Sequence, residues 1–557
     1  MTTDFRPFDT NGNMIYGGRA CTAEKGVVSA GRAEAAEIGR KILAAGGNAV
    51  DAAVAVGFAL GVCEPNASGI GGGGFLLLHL GKTGEDVFLN FREKAPAAAS
   101  PDMYRADPDT AARKGSERAN YDIELRNVYG ACAAAVPGDV AGLLYALEHY
   151  GTLDRQTVLA PAIRLAREGF VVTPLLRADI ALHAPQLAAY GDGANIYLKD
   201  GRVPEVGDIL TNPDLADTLQ AIADGGKDVF YRGAIAEKIL DRMKKDGGRM
   251  TAEDLANFEP KVMQPVRGTY RGYEILSSPL PSSGGTHVVQ ILNVLEHFDV
   301  GALEVNSPAY IHRFSEVFKL CYADRWHYMG DPDFQPVPLR GLLSKEYAAQ
   351  LAARVDLTAS QKPACGDPWQ YESTSTTHFS IADSEGNLAA CTRTINHFFG
   401  SCAVPEGTGF LLNDEMEDFS IDPSSPNCVA GGKVPLSCMS PTFVLKDGKP
   451  VAVLGSPGGV RIISSVVQVI SKLIDHGMDI ESAVNSPRFG DDILDEIIYE
   501  SRIPEETIKA LQAMGHKMRA YPDWDRIAGA VNSVTILPDG TLAGAADPRR
   551  DGLAVGI

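Results

Sequence analysis

The sequence has no hydrophobic run long enough to cross a bilayer. Its most apolar stretch, Ala52 to Val62, has 11 residues, where a membrane helix needs about 20. The N-terminus lacks the basic segment and apolar core of a secretory signal, because Thr2-Thr-Asp-Phe-Arg-Pro7 is polar. There is no Cys-x-x-Cys pair. The nine cysteines are odd in number and scattered, so the expectation is reduced thiols in a cytoplasmic protein, with secretion left open. Basic clusters are also missing: 51 Lys+Arg stand against 71 Asp+Glu, a net charge of −20. That balance argues against nucleic acid or an anionic membrane as partner. What is present is the composition of a folded protein, 45% hydrophobic and 22% charged. Glycine is in excess, 58 of 557 residues, against an average of about 7%.

Helical and strand patterns alternate along the chain. Ala30 to Ala45 carries Ile38, Ile42 and Leu43 at helical spacing and stops at Gly46-Gly47. Asn48 can cap a second helix, with Asp51 in its first turn and an Ala/Val-rich body through Leu60. Further helices are expected near 139–149, 156–168, 286–297, 309–322, 460–474 and 505–514. Four hairpins are signalled by turn residues between short apolar runs: 75–80 with 87–91, 378–382 with 388–392, 441–445 with 451–454, and 533–537 with 541–545. Hairpins interleaved with helices indicate antiparallel sheets covered by helices, an α+β unit. The region 150–367 reads as mostly helical, and no linker divides the chain.

Familiar catalytic signatures are missing too. None of the eleven histidines is followed by Glu, and no Ser sits in a Gly-x-Ser-x-Gly elbow. Gly69-Ile-Gly71-Gly-Gly-Gly74 spells a dinucleotide fingerprint in the wrong context, with a helix before it and a strand after it. The glycines are expected instead to permit close backbone packing. Gly455-Ser-Pro-Gly458-Gly459-Val-Arg461 does run from strand into helix, a geometry that serves a phosphate, an oxyanion or a plain turn. Thr376 and His378, two apart in a strand, face one side and allow a hydroxyl–imidazole pair, although Thr also simply favours strands.

Several blocks in register resemble the γ-glutamyltranspeptidase family. They are Gly46-Gly-Asn48-Ala-Val-Asp51, Ser68 to Phe75, Phe91-Arg92-Glu93-Lys-Ala-Pro96, Pro281-Ser-Ser-Gly-Gly285, Thr376-Thr377-His378-Phe379-Ser380 and Leu412 to Phe419. Pro435-Leu436-Ser437, Met439-Ser440-Pro441-Thr442, Gly455-Ser-Pro-Gly-Gly459 and Asp547-Pro-Arg549 complete the set. The resemblance implies an N-terminal-nucleophile hydrolase with a four-layer αββα fold. It also implies a self-cleaving precursor cut between Ser375 and Thr376 into a large subunit, 1–375, and a small one, 376–557, that together form one folded unit. A freed Thr376 α-amine, with a pKa of about 7.7–8.0, can act as base for its own hydroxyl, so His378 returns to a structural role.

By the same resemblance Thr394 polarises the nucleophile, and Gly458 and Gly459 form the oxyanion hole. Arg92 with Ser437 holds the α-carboxylate of a glutamyl group, while Asn396, Glu415 and Asp418 hold its α-ammonium. The implied activity is cleavage of γ-glutamyl amides such as glutathione, with transfer of the acyl group to water or an amine and without metal or organic cofactor. Two departures stand out. Cys438 replaces a serine common in the family beside Ser437, and the segment 419–434 is short compared with members that carry a lid. The rival reading is a related amidase of the cephalosporin acylase or oxamate amidohydrolase type.

Overall fold

The computed structural model describes residues 5–104, 126–362, 376–491 and 496–557. The two seven-stranded sheets stack face to face. The first runs, edge to edge, Leu553–Gly556, Gly26–Ala30, Thr377–Asp383, Leu388–Thr394, Gly73–Leu80, Glu85–Asn90 and Lys261–Met263. The second runs Ala20–Ala23, Leu542–Ala545, Asn532–Ile536, Lys449–Gly455, Thr442–Lys446, Tyr273–Ser277 and Val266–Tyr270. All ladders within these two sheets are antiparallel.

Side-chain alternation explains the stacking. In the first sheet Leu76, Leu78, Phe379, Ile381, Ala389 and Cys391 pack into one core with the helices Ala33–Ala44, Ala49–Cys63 and Asp139–Tyr150. Their neighbours Phe75, Leu77, Ala382, Leu388 and Ala390 face the other way. These join Phe443, Val453 and Val534 of the second sheet and the helices Ser283–Leu295, Pro308–Tyr328 and Arg461–Ile474. The order is helix, sheet, sheet, helix: the expected four layers.

The expected helices and all four hairpins are present, with boundaries shifted by a few residues. Asn48 caps Ala49–Cys63 in a reciprocal box with Asp51. Gly46, at φ 93°, turns the chain out of the preceding helix. One boundary needs correction, and two details are added to the reading. The helix placed from Ala30 starts at Ala33, because Gly26–Ala30 is a strand buried on both faces. Region 150–367 also supplies strands to both sheets, at 261–263, 266–270 and 273–277. A small third sheet pairs Glu496–Glu500 parallel to Lys517–Tyr521.

The glycine run is a packing device. A Cβ at Gly71 would lie 2.1 Å from the Leu411 carbonyl oxygen, and one at Gly72 would lie 2.0 Å from that of Thr394. Backbone on both sides leaves no side chain free to yield. Gly72→Ala is therefore expected to cost about 1–3 kcal/mol or more, read from the denaturation midpoint; an unchanged midpoint would contradict the contact.

Candidate active site

The register of one hairpin sets the centre of the site. Thr377 pairs with Arg393, so one step further Thr376 stands opposite Thr394. Even-numbered residues here face the space between the sheets, and Arg393 points away into the helices, where it pairs with Asp139. Thr376 is buried, and its hydroxyl lies 3.4 Å from that of Thr394. Thr394 is fixed in turn by the Asn396 backbone N–H, which donates to its Oγ1 at 2.8 Å. Beside it, Arg550 donates to the Thr376 carbonyl oxygen at 2.6 Å and to Glu64 at 3.1 Å, and Thr377 donates to the same Glu64 carboxylate at 2.6 Å. Ser375 lies outside the described residues.

These two threonines line a cleft enclosing about 380 Å³, open solvent at its mouth included, with Arg92, Arg325, Glu415, Asp418, Ser437, Cys438 and Gly459. Gly459 (φ 57°) follows Gly458 (φ 131°) at the turn between the strand Lys449–Gly455 and the helix Arg461–Ile474. Tyr322 steadies that turn by donating to the Val460 carbonyl at 2.9 Å. Asn396 and Gly458 are close in sequence to this lining without forming part of it, Gly458 next to Gly459, and the Asn396 side-chain amide donates to the Asp414 carbonyl at 3.1 Å.

The charged wall follows from local geometry. Residues 415–418 form one turn of 3-10 helix, in which positions i and i+3 eclipse. Glu415 and Asp418 thus project together onto Arg92, which lies 2.9 Å from Glu415, contacts Asp418 directly and donates to the Pro435 carbonyl at 3.0 Å. Burial opposes charge on Arg92, but the two carboxylates hold it firmly protonated. Burial pushes the Glu415 carboxyl well above the usual range. Glu93, 4.0 Å from Arg92, and Glu417 are both pushed up to about 8 by burial. Burial also disfavours charge on His397, yet Asp414 at 2.5 Å overrides it and raises the imidazole to about 10.

The motif Pro281-Ser-Ser-Gly-Gly285 buttresses the opposite wall. Ser282 and Ser278 donate to the Met439 carbonyl at 2.6 and 2.8 Å, and Ser283 to that of Ser437 at 2.6 Å. A Cβ at Gly284 would meet the Cys438 carbonyl oxygen at 2.3 Å. His378 has the structural role expected of it: its ring nitrogens lie 2.8 and 3.0 Å from the Thr392 and Ser380 hydroxyls, and burial lowers it to about 3. No cleft-lining residue comes from 419–434. Asn427 folds that segment down, its amide donating to the Asp418 carbonyl at 2.6 Å.

The sequence model of the Gamma-glutamyltranspeptidase family matches residues 35–557. The chain belongs to the γ-glutamyltranspeptidase family. It is 42% identical to the glutathione hydrolase proenzyme of Escherichia coli K12, over 95% of this chain and 91% of the relative. It is also 39% identical to the acylase ACY 1 proenzyme of Pseudomonas sp. SE83, over 97% and 95%. Among solved structures, the cephalosporin acylase of Bacillus halodurans superposes with a TM-score of 0.87 at 29% identity, covering 100% of this chain and 99% of that one. The chain is thus an enzyme of the hydrolase and transferase class of this family.

Within this family frame, sequence reading missed Arg325 and Glu93. Arg325 falls on the stripe Phe314, Phe318, Cys321, Arg325 of a helix that is buried through this stretch. A charge on a buried stripe was the available signal. Among the described residues no helix is long and apolar enough to cross a membrane, and none of the eight described cysteines is in a disulfide.

The raised carboxyls predict a pH dependence. Between the ordinary glutamate value of about 4.3 and a folded value of about 8, the folded protein holds protons that the unfolded chain has released. This contribution to stability is complete below the ordinary value and is lost as pH rises through the folded one. Glu417→Gln, which does not ionise, is expected to flatten the fall in denaturation midpoint between about pH 5 and about pH 8. A slope as steep as that of the unsubstituted protein would exclude Glu417 as its source.

Proposed function

We propose that the protein is a self-processing γ-glutamyl hydrolase and transferase with Thr376 as its nucleophile. The Thr376 hydroxyl attacks the Ser375 carbonyl, which moves the acyl group from nitrogen to oxygen. Water then hydrolyses that ester and releases chains 1–375 and 376–557, with a free α-amine on Thr376. This amine takes the hydroxyl proton when Thr376 attacks the γ-carbonyl of a γ-glutamyl amide. The Thr394 hydroxyl holds Thr376 Oγ1, and the backbone N–H groups of Gly458 and Gly459 receive the oxyanion. The leaving amine departs with a proton, and water or an amino acid or peptide amine resolves the γ-glutamyl ester.

The observation that carries the substrate class is the buried ion cluster on the cleft wall. Arg92 faces Glu415 and Asp418 a short distance from Thr376. A glutamyl head brings one carboxylate and one ammonium, so it exchanges these internal contacts for its own, sign for sign, without leaving a buried charge unmatched. A neutral acyl group leaves the cluster unused. The names of the relatives support both branches of the family, glutathione hydrolase and acylase; the cluster favours the first.

A γ-glutamyl anilide with a dipeptide acceptor tests the reading. Anilide release and γ-glutamyl dipeptide are expected, and fully processed protein that releases no anilide would refute it. Arg92→Ala is expected to lower kcat/KM for this donor by roughly 100-fold, about 3 kcal/mol, because it leaves acids and ligand without their cation. Turnover of a neutral acyl anilide should change far less, and equal losses would favour the acylase branch.

A further inference from the structure

The same cleft contains a second buried guanidinium whose charge is not met. Arg325, only 1% exposed, stands in the last turn of the helix Pro308–Tyr328. Its Nε donates to the Ser283 hydroxyl at 2.8 Å and its Nη2 to the Cys438 sulfur at 2.9 Å, and its carbon lies 4.4 Å from the Trp326 ring centroid. Its Nη1 has no hydrogen-bond partner, and no carboxylate lies within 4.0 Å of it among the described residues. Arg92 differs in each respect, being matched by two carboxylates and a carbonyl. A buried cation without a counter-charge is among the costliest arrangements in a protein, and an orphaned donor on a residue lining a cleft that must bind a ligand points to an anion on that ligand.

The neighbours locate that anion. Ser437 and Cys438 are consecutive, both line the cleft with Arg325, and Ser437 Oγ accepts the Met439 N–H at 3.1 Å, leaving its own proton to donate. The thiol of Cys438 is a weak acceptor, and burial keeps it protonated despite Arg325. It therefore orients the guanidinium without neutralising it. A carboxylate entering beside Ser437 meets, in the same cleft, a guanidinium whose Nη1 has no partner and which has no counter-charge.

We propose that Arg325 is a second carboxylate-binding residue of the cleft, gripping the α-carboxylate of the donor with Ser437 and beside Arg92. The inference rests on the γ-glutamyl reading of this site. It gives the cysteine at position 438 a meaning, because a guanidinium compensates for the hydroxyl that this chain lacks there.

Calorimetry with L-glutamate and with 4-aminobutyrate, which is glutamate without its α-carboxylate, tests it. The unsubstituted protein should bind L-glutamate more tightly; no such preference would remove the γ-glutamyl reading itself, before any substitution. Arg325→Gln is expected to weaken L-glutamate binding by roughly 10- to 100-fold, the worth of a charge-assisted pair, while 4-aminobutyrate affinity stays within about twofold. Equal loss for both ligands, or loss for neither, overturns the proposal. If Arg325→Gln does not fold, Arg325→Lys gives the reading: it keeps the charge but not the fork, so its loss is selective for L-glutamate and smaller. An unselective loss in the lysine variant is equally fatal.

Discussion

The register that pairs Thr377 with Arg393 is the constraint on which the rest of the site depends. It puts Thr376 opposite Thr394 and turns both hydroxyls toward the space between the sheets, while Arg393 is committed to Asp139 among the helices. A slip of one residue would exchange these faces, burying hydroxyls among the helices and forcing a guanidinium into the cleft. Glycines let the neighbouring segment lie against this register: Gly73 and Gly74 pair with Thr394 and Arg393, a Cβ at Gly72 would lie 2.0 Å from the Thr394 carbonyl oxygen, and one at Gly74 would lie 2.6 Å from that of Thr392. Part of the glycine excess is thus concentrated where the proposed nucleophile must be placed.

Beside this hairpin one cleft gathers several buried charged groups. One wall is a cluster of Arg92, Glu415, Asp418 and Glu93 whose charges are shared internally; the other carries Arg325, oriented by a serine and a thiol. An internally balanced cluster beside an unbalanced cation suits a ligand that carries both signs. The elements that contribute these groups come from both sides of residue 375, and both sides supply strands to each of the two large sheets. A cut there would leave two chains that neither sheet could lose.

Much of this was legible in the sequence. The hairpin turns and the Asn48 cap are local signals, and the structure follows them. The site blocks were legible through their resemblance to a family, because no short-range rule marks Thr376 or Arg92 as special. Strands such as Gly26–Ala30 and Leu553–Gly556 escaped because a strand of four or five residues lacks a period long enough to read. Arg325 escaped for a different reason. Its helix was recognised only to Tyr322, one turn short of it, and its partners Ser283 and Cys438 lie 42 and 113 residues away. Tertiary packing alone reveals that its charge is unmet.

The central claim is that Thr376, freed as an N-terminus, carries the acyl group. Mass spectrometry of the purified protein, quenched during turnover of a γ-glutamyl donor, tests it most directly. The account predicts a chain beginning at Thr376 whose N-terminal peptide carries one γ-glutamyl group in a hydroxylamine-sensitive ester. A single uncut chain, or an acyl group on any other residue, would contradict it.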